Sequence, residues 1–201
     1  MVIAHHLILT GYGHWLANDP RGSYSHETFP PELRKLAATH FGRRTDQPTR
    51  QELRAFYRKA RRYLAHDTVW FEDAQRTALV RAFGELLRME GQTCYACAVL
   101  SNHVHILLRK HRLKGERMLS VLKEARCAAL HASDLAPADH PVFNAGSCDL
   151  YKSDPHSVRT CVRYIESHYR KHRLRPIPCD FVVAYDGWPH HKRSHAPRKQ
   201  W

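Results

Sequence analysis

Two apolar runs of strand composition, Thr93 to Leu100 and Val104 to Arg109, are joined by the short polar connection Ser101-Asn102, and such a pair closes as a β-hairpin. What flanks it narrows the fold further. Upstream, Val2 to Thr10 has strand character and breaks at Gly11 and Gly13. From Glu72 to Glu90, Ala74, Leu79, Ala82, Phe83, Leu86 and Leu87 recur at helical spacing, and Gly91 stands where a helix C-cap belongs. Downstream of the hairpin, Met118, Leu119, Leu122, Ala125 and Ala129 mark a helix over Glu116 to His131, and a short strand follows around Asp149 to Lys152. A last helix starts near Asp154-Pro155, with Asp as N-cap and Pro at the first helical position, and runs to about His172. Strand, helix, two strands, helix, strand predicts an α+β fold. Its form is a ferredoxin-like split βαβ antiparallel sheet with helices on one face and the other face available.

Two pieces lie outside this pattern. Residues 14–70 read as an insertion, and positions 34–62 within it carry ten Lys or Arg against two acids. Basic helices are expected around Pro31 to Phe41 and Thr49 to Ala65, presenting either a solvated face or a phosphate-contacting one. The tail, 173–201, continues a stretch from Arg170 with eight Lys or Arg against two acids, mixed with Phe181, Tyr185, Trp188 and Trp201. Basic groups among aromatic rings suit single-stranded nucleic acid, because cations follow phosphates while rings stack on bases. The apolar part, FVVAYDGWP, is expected to fold back onto the body, which leaves the charged end from His190 as the better DNA candidate. No repeat or low-complexity linker divides the chain, so residues 1–201 are read as one domain.

Charge points the same way. Thirty-two Lys and Arg against 19 Asp and Glu leave a net charge of +13, which favours a polyanionic partner. No apolar run approaches the ~20 residues needed to span a bilayer. The opening MVIAHHLILTGYG has neither a basic leader nor a cleavage site, so a cytoplasmic, nucleoid-associated protein is expected. Six cysteines are then expected to stay reduced. Cys94 and Cys97 lie in a strand-like segment, where residues three apart face opposite sides, and neither a glycine turn nor a second CxxC supports a zinc knuckle.

Chemistry is concentrated in two places. In His103-Val104-His105, alternate strand residues share a face and can grip one ion together. With 17 histidines in the chain, roughly one such HxH triplet arises by chance, so the pattern alone leaves a metal pair and a hydrogen-bonded structural pair both open. Two imidazoles opening the apolar strand HVHILL are nonetheless costly unless something satisfies them. On the last helix, Tyr164 and His168 are four apart and share a face, pairing a nucleophile with a further ligand. A phenol with a pKa near ~10 needs a polarised phosphate or a nearby base to react. Packing in the core is the commoner fate of such a tyrosine. Tyr169 projects about 100° further round the helix and is a second phenol to weigh. Asn102 is placed either to orient a ligand or phosphate or to make a turn. Arg21, in the turn Asn18-Asp19-Pro20-Arg21-Gly22, is a candidate DNA contact.

Together these phrases resemble the HUH single-tyrosine transposases, in particular the branch associated with repetitive extragenic palindromes. YACAVLSNHVHILL is similar to that family's strand into its histidine pair, and VRYIESHYRKHRL to its tyrosine helix. HLILTGYGHWLANDPRGS and FVVAYDGWPHHK also resemble phrases of the branch. Where the family places an Asn-Pro after the tyrosine, this chain has His168-Tyr169. The resemblance implies a divalent ion, Mg²⁺ or Mn²⁺, held by His103, His105 and His168. It also implies Tyr164 as the nucleophile on single-stranded or hairpin DNA, a 5′-phosphotyrosine intermediate, and strand transfer by a 3′-hydroxyl. Three imidazoles form a softer set than a typical magnesium site, which favours Mn²⁺ or another transition ion. DNA contacts are expected from Arg21 and Asn102 and, in the tail, from Lys192, Arg193, Arg198 and Lys199. The long insertion and tail resemble the palindrome-associated branch more than the short transposases that pair to build shared sites, and that resemblance implies a monomer. Two rivals remain at this stage: a domesticated binding protein without chemistry, and a metal phosphodiesterase that uses water.

Overall fold

A computed structural model describes residues 1–24, 30–112, 115–144, 146 and 148–189. Four strands, β1 (Ala4–Thr10), β2 (Cys94–Val99), β3 (His103–Arg109) and β4 (Cys148–Lys152), form one antiparallel sheet in the order β2-β3-β1-β4. The helices are α1 (Arg50–Ala60), α2 (Asp73–Met89), α3 (Gly115–Ala132) and α4 (Pro155–His172). The sequence order β1, α2, β2, β3, α3, β4 with β1 and β3 central is the split βαβ arrangement expected, and the predicted boundaries hold to within two residues. Just beyond α2, after its C-cap Glu90, Gly91 takes a φ of 60° in the left-handed region, and Gln92 N–H bonds Leu87 C=O at 2.8 Å.

Alternation divides the sheet into two faces. Leu7, Leu9, Val104, Ile106 and Leu108 pack with Leu79, Phe83 and Leu87 of α2 and Met118, Leu119 and Leu122 of α3. The opposite face is not left open. Val158, Cys161 and Ile165 of α4 lie against Ala4, Ala96, Ala98 and Leu107, so helices cover both faces. The reason is the α4 stripe, 158-161-165, whose 3-4 spacing gives that helix its own apolar seam to bury.

β2 is an edge strand, and its free backbone groups are capped from three sides. Val99 N–H donates to Tyr169 Oη at 3.1 Å, and Val99 C=O accepts from Arg76 Nε at 3.0 Å. Val182 bridges Cys94, and Val183 N–H bonds Cys94 C=O at 2.9 Å. The stretch after α4 thus folds back as expected. Phe181 comes so close to α2 that a Cβ on Gly84 would lie 2.9 Å from its ring. Arg109 stacks on Trp188, with its guanidinium carbon 4.3 Å from the ring centroid.

Two local expectations are corrected. Only Pro31–Lys35 forms a helix in the first basic segment, as a 3-10 turn, because Gly42 with φ 85° and the Ser23–Phe41 bridge draw the following chain into extended pairing. The second basic helix is present as α1, capped by a Thr49–Glu52 capping box. Cys94 and Cys97 do not face opposite sides. A β-bulge shifts the register between Cys94↔Leu108 and Ala96↔Leu107, so Tyr95 and Ala96 both turn toward α4 and both cysteines join the α2 and α3 side. None of the six cysteines, all among the described residues, forms a disulfide.

Candidate active site and metal centre

The face of the sheet under α4 changes character along its length. Toward one end it is Ala96, Ala98 and Leu107; toward the other, His103 and His105 point to the same side, as their two-residue spacing requires. The stripe on α4 changes in step, since 158-161-165 continues at the same 3-4 spacing into His168 and His172. Imidazole therefore meets imidazole. Ring centroids of His103 and His105 are 4.9 Å apart, those of His105 and His168 4.3 Å, and those of His103 and His172 5.5 Å. His6 joins from β1, stacked on His105 at 5.0 Å, with its Nε2 2.9 Å from His105 Nδ1.

Hydrogen bonds decide which nitrogens stay free. His103 Nδ1 donates to Asn102 Oδ1 at 2.7 Å, which directs the Nε2 lone pair inward. His105 uses Nδ1 toward His6. Both ring nitrogens of His168 are buried without a hydrogen-bond partner among the described residues. A buried imidazole left this way is costly, and a cation in the cluster would satisfy it. Burial first, and neighbouring imidazoles or lysines second, push the histidine pKa values down. His103 falls to about 3, with His172 the first neighbouring contributor, and His105 falls further in the same direction. His168 falls to about 4 through burial and Lys171, and His6 to about 4 through burial and Lys152. Neutral imidazoles are the form that ligates a metal, so the donor set fits a divalent ion.

Tyr164 lies at the rim, 43% exposed, with its ring 4.5 Å from His168 and 5.7 Å from His105 by centroids. It is not a core tyrosine. The ammonium of Lys171 lies 4.7 Å from its ring centroid, and burial followed by Cys161 raises the phenol pKa. Tyr169, the other phenol, is only 8% exposed and its oxygen accepts from Val99 N–H, which removes it from the site.

A second wall comes from the insertion. Trp15 adopts φ 45°, an uncommon conformation for a bulky residue, and its N–H donates to Tyr57 Oη at 2.9 Å. Tyr57 in turn donates to Asp19, which is fully buried and also takes two bonds from the Arg21 guanidinium, at 2.9 and 2.7 Å, and one from the Arg21 backbone N–H at 2.8 Å. Arg21 then stacks on Trp15, 4.3 Å to the centroid, and the Trp15 ring meets His103 edge-on at 5.3 Å. Asn102 thus touches the histidine cluster directly, and Arg21 only through Trp15. Lys192, Arg193, Arg198 and Lys199 lie outside the described residues.

Sequence reasoning singled out His103, His105, His168 and Tyr164, and the structure gathers all four. It missed His6, His172, Trp15 and Tyr57. The 3-4 continuation of the α4 stripe was a readable signal for His172, whereas His6 depends on the β1–β3 register. A separate cavity of about 550 Å³, lined by His66, Asp67, Trp70, Gln75 and His140 among others, contains none of these residues. Both nitrogens of its His140 have backbone partners, so it presents no comparable vacancy for a cation.

No family model matches the sequence, and no curated protein matches it either. Among solved structures, the chain is similar to a REP-associated tyrosine transposase bound to a REP hairpin, at 12% identity and a TM-score of 0.46, covering 85% of this chain and 68% of that one. It is also similar to a candidate transposase from Deinococcus radiodurans R1, at 14% identity and a TM-score of 0.39, covering 83% of this chain and 91% of that one.

Proposed function

We propose that this chain is a metal-dependent enzyme that cleaves and rejoins single-stranded or hairpin DNA, a transposase-type strand transferase with Tyr164 as nucleophile. The observation that carries this reading is an exposed phenol beside a buried imidazole, His168, whose nitrogens have no partner in the described chain. His103, His105 and His168 would hold Mg²⁺ or Mn²⁺, which when bound supplies Lewis-acid polarisation of the scissile phosphate. Tyr164 Oη forms the bond to phosphorus as the bond to the 3′-oxygen breaks, leaving a 5′-phosphotyrosine and a free 3′-hydroxyl. The phenol proton passes to solvent, and the leaving 3′-oxygen takes one up. Attack by a second 3′-hydroxyl reverses the step and joins strands without an external energy source.

Other groups hold and orient. Asn102 fixes the His103 tautomer, and His6 does the same for His105. Arg21 and the Trp15 ring offer a cation and a stacking face to a strand entering beside His103. Lys192, Arg193, Arg198 and Lys199 neutralise phosphates, and the protein acts as a monomer on DNA in the cytoplasm.

The test is incubation with labelled, hairpin-flanked single strands and Mn²⁺ or Mg²⁺. Wild type and Tyr169→Phe are expected to form a denaturation-resistant DNA adduct, and Tyr164→Phe none. Cleavage that survives in Tyr164→Phe would establish the water-using phosphodiesterase instead. DNA binding with no adduct on any substrate would establish a binding protein without chemistry.

A further inference from the structure

We infer that His172 is a ligand of the same ion, so that His103, His105, His168 and His172 form a four-imidazole centre that selects Zn²⁺, Co²⁺ or Ni²⁺ over Mn²⁺ and Mg²⁺. The inference rests on the metal-binding reading above and refines its ion, from Mg²⁺ or Mn²⁺ held by three imidazoles to a softer ion held by four. His103, His168 and His172 each offer a nitrogen, and these three atoms lie within 4.8 Å of one another. Ligand atoms of a tetrahedral ion with metal–nitrogen bonds of ~2.0–2.1 Å are roughly 3.3 Å apart, so a small contraction closes the set.

The chain is built to allow that contraction. His172 is exposed on the last turn of α4, one turn beyond His168 and stacked with it at 5.6 Å and 14° between planes. α4 ends immediately after it, at Arg173 with φ 54°, so no further helix pins the His172 side chain. His103 holds its Nδ1 on Asn102, and His168 has both nitrogens free, so each has a lone pair for a shared ion. His105 lies outside that group of three, and its ring, 4.3 Å from His168 by centroids with the planes 35° apart, is the neighbouring imidazole that supplies the fourth nitrogen of the proposed centre.

The ligand chemistry then determines the ion. Imidazole suits Zn²⁺, Ni²⁺ and Cu²⁺, whereas Mg²⁺ and Mn²⁺ favour carboxylate, carbonyl and water, and affinity rises from Mn²⁺ through Co²⁺ to Ni²⁺ at a given site. No carboxylate belongs to the cluster among the described residues.

The experiment is metal titration of the full chain without DNA. Zn²⁺ and Co²⁺ affinities are read by chelator competition, the Co²⁺ visible spectrum reports coordination, and free Mn²⁺ is counted by electron paramagnetic resonance. Wild type is expected to bind about one Co²⁺ more tightly than Mn²⁺. His172→Ala is expected to lose at least about tenfold in Zn²⁺ and Co²⁺ affinity, the lower end of what even outer-shell partners cost, and to change the Co²⁺ spectrum. His40→Ala, an exposed histidine away from the site, is the control and should match wild type. Equal affinities and spectra for His172→Ala and wild type overturn the inference and leave the proposed function standing. Tighter Mn²⁺ than Co²⁺ binding in wild type overturns it as well. Failure of wild type to bind any of these ions overturns both.

Discussion

Each histidine in the cluster stays neutral because its charged form would be buried among other imidazoles and basic side chains. Unfolding restores a pKa near ~6.5, so the unfolded chain takes up protons on acidification that the folded chain refuses. For the metal-free protein the sign follows directly. Stability is complete above pH ~6.5 and falls as pH drops through the window down to the folded values of about 3 for His103 and about 4 for His6 and His168. Each imidazole adds up to ~1.4 kcal/mol per pH unit within that window. Denaturant midpoints in the presence of chelator should therefore fall between pH 7 and pH 4.5, and His103→Gln should make the fall shallower. Arg21 carries a different burden at the same scale. Its two guanidinium bonds to the fully buried Asp19 make Arg21→Ala destabilising by about 1.5–3 kcal/mol, before any effect on DNA is considered. An unchanged denaturation midpoint would remove it from the structural network and leave only a surface role.

Among the elements, α2 depends on one side chain that its hydrophobic pattern does not reveal. Arg76 is 1% exposed and joins three segments: Nε to Val99 C=O of β2, Nη2 to Arg175 C=O beyond α4, and Nη1 to Asp73 at the helix start. Arg76→Met keeps the volume of the stem but leaves two carbonyls without their donor, so a loss of about 2–4 kcal/mol is expected in equilibrium unfolding. α4 is the other element with two functions. It packs through Val158, Cys161 and Ile165 and carries the site on Tyr164 and His168, which ties the position of Tyr164 to the apolar seam beside it. Ile165→Ala should therefore lower both stability, by about 2–5 kcal/mol, and adduct yield. An adduct yield unaffected in the folded fraction would uncouple the two functions.

For the whole molecule, a net charge of +13 sets the expectation that DNA affinity falls steeply with salt. Removing residues 190–201 deletes Lys192, Arg193, Arg198 and Lys199 and spares the packed stretch through Trp188. Affinity and salt slope should both decrease while the unfolding midpoint and metal binding stay unchanged. Truncation at 173 instead strips Phe181 from α2 and Val182 and Val183 from the β2 edge, and should destabilise the fold. Equal slopes for the 190–201 deletion and the full chain would remove the tail from the DNA interface. A solution mass twice that of the chain, constant on dilution, would contradict a monomer.

The element order, the helix bearing Tyr164 and the side-by-side pair His103 and His105 were legible in the sequence, because helical and strand periodicities and caps are local properties. The charge and the Arg-rich insertion were legible for the same reason. What only the tertiary structure decided depends on contacts between distant segments. The β1–β3 register brings His6 to His105; α4 crosses the face that local patterning left uncovered; a bulge at Tyr95 turns Cys94 and Cys97 to one side. Trp15 is held beside His103 by a buried Asp19–Tyr57–Arg21 network drawn from two parts of the insertion. Register, bulges and crossings are settled by which packing buries the most apolar surface while leaving the fewest polar groups unpaired, and that competition involves the whole chain at once.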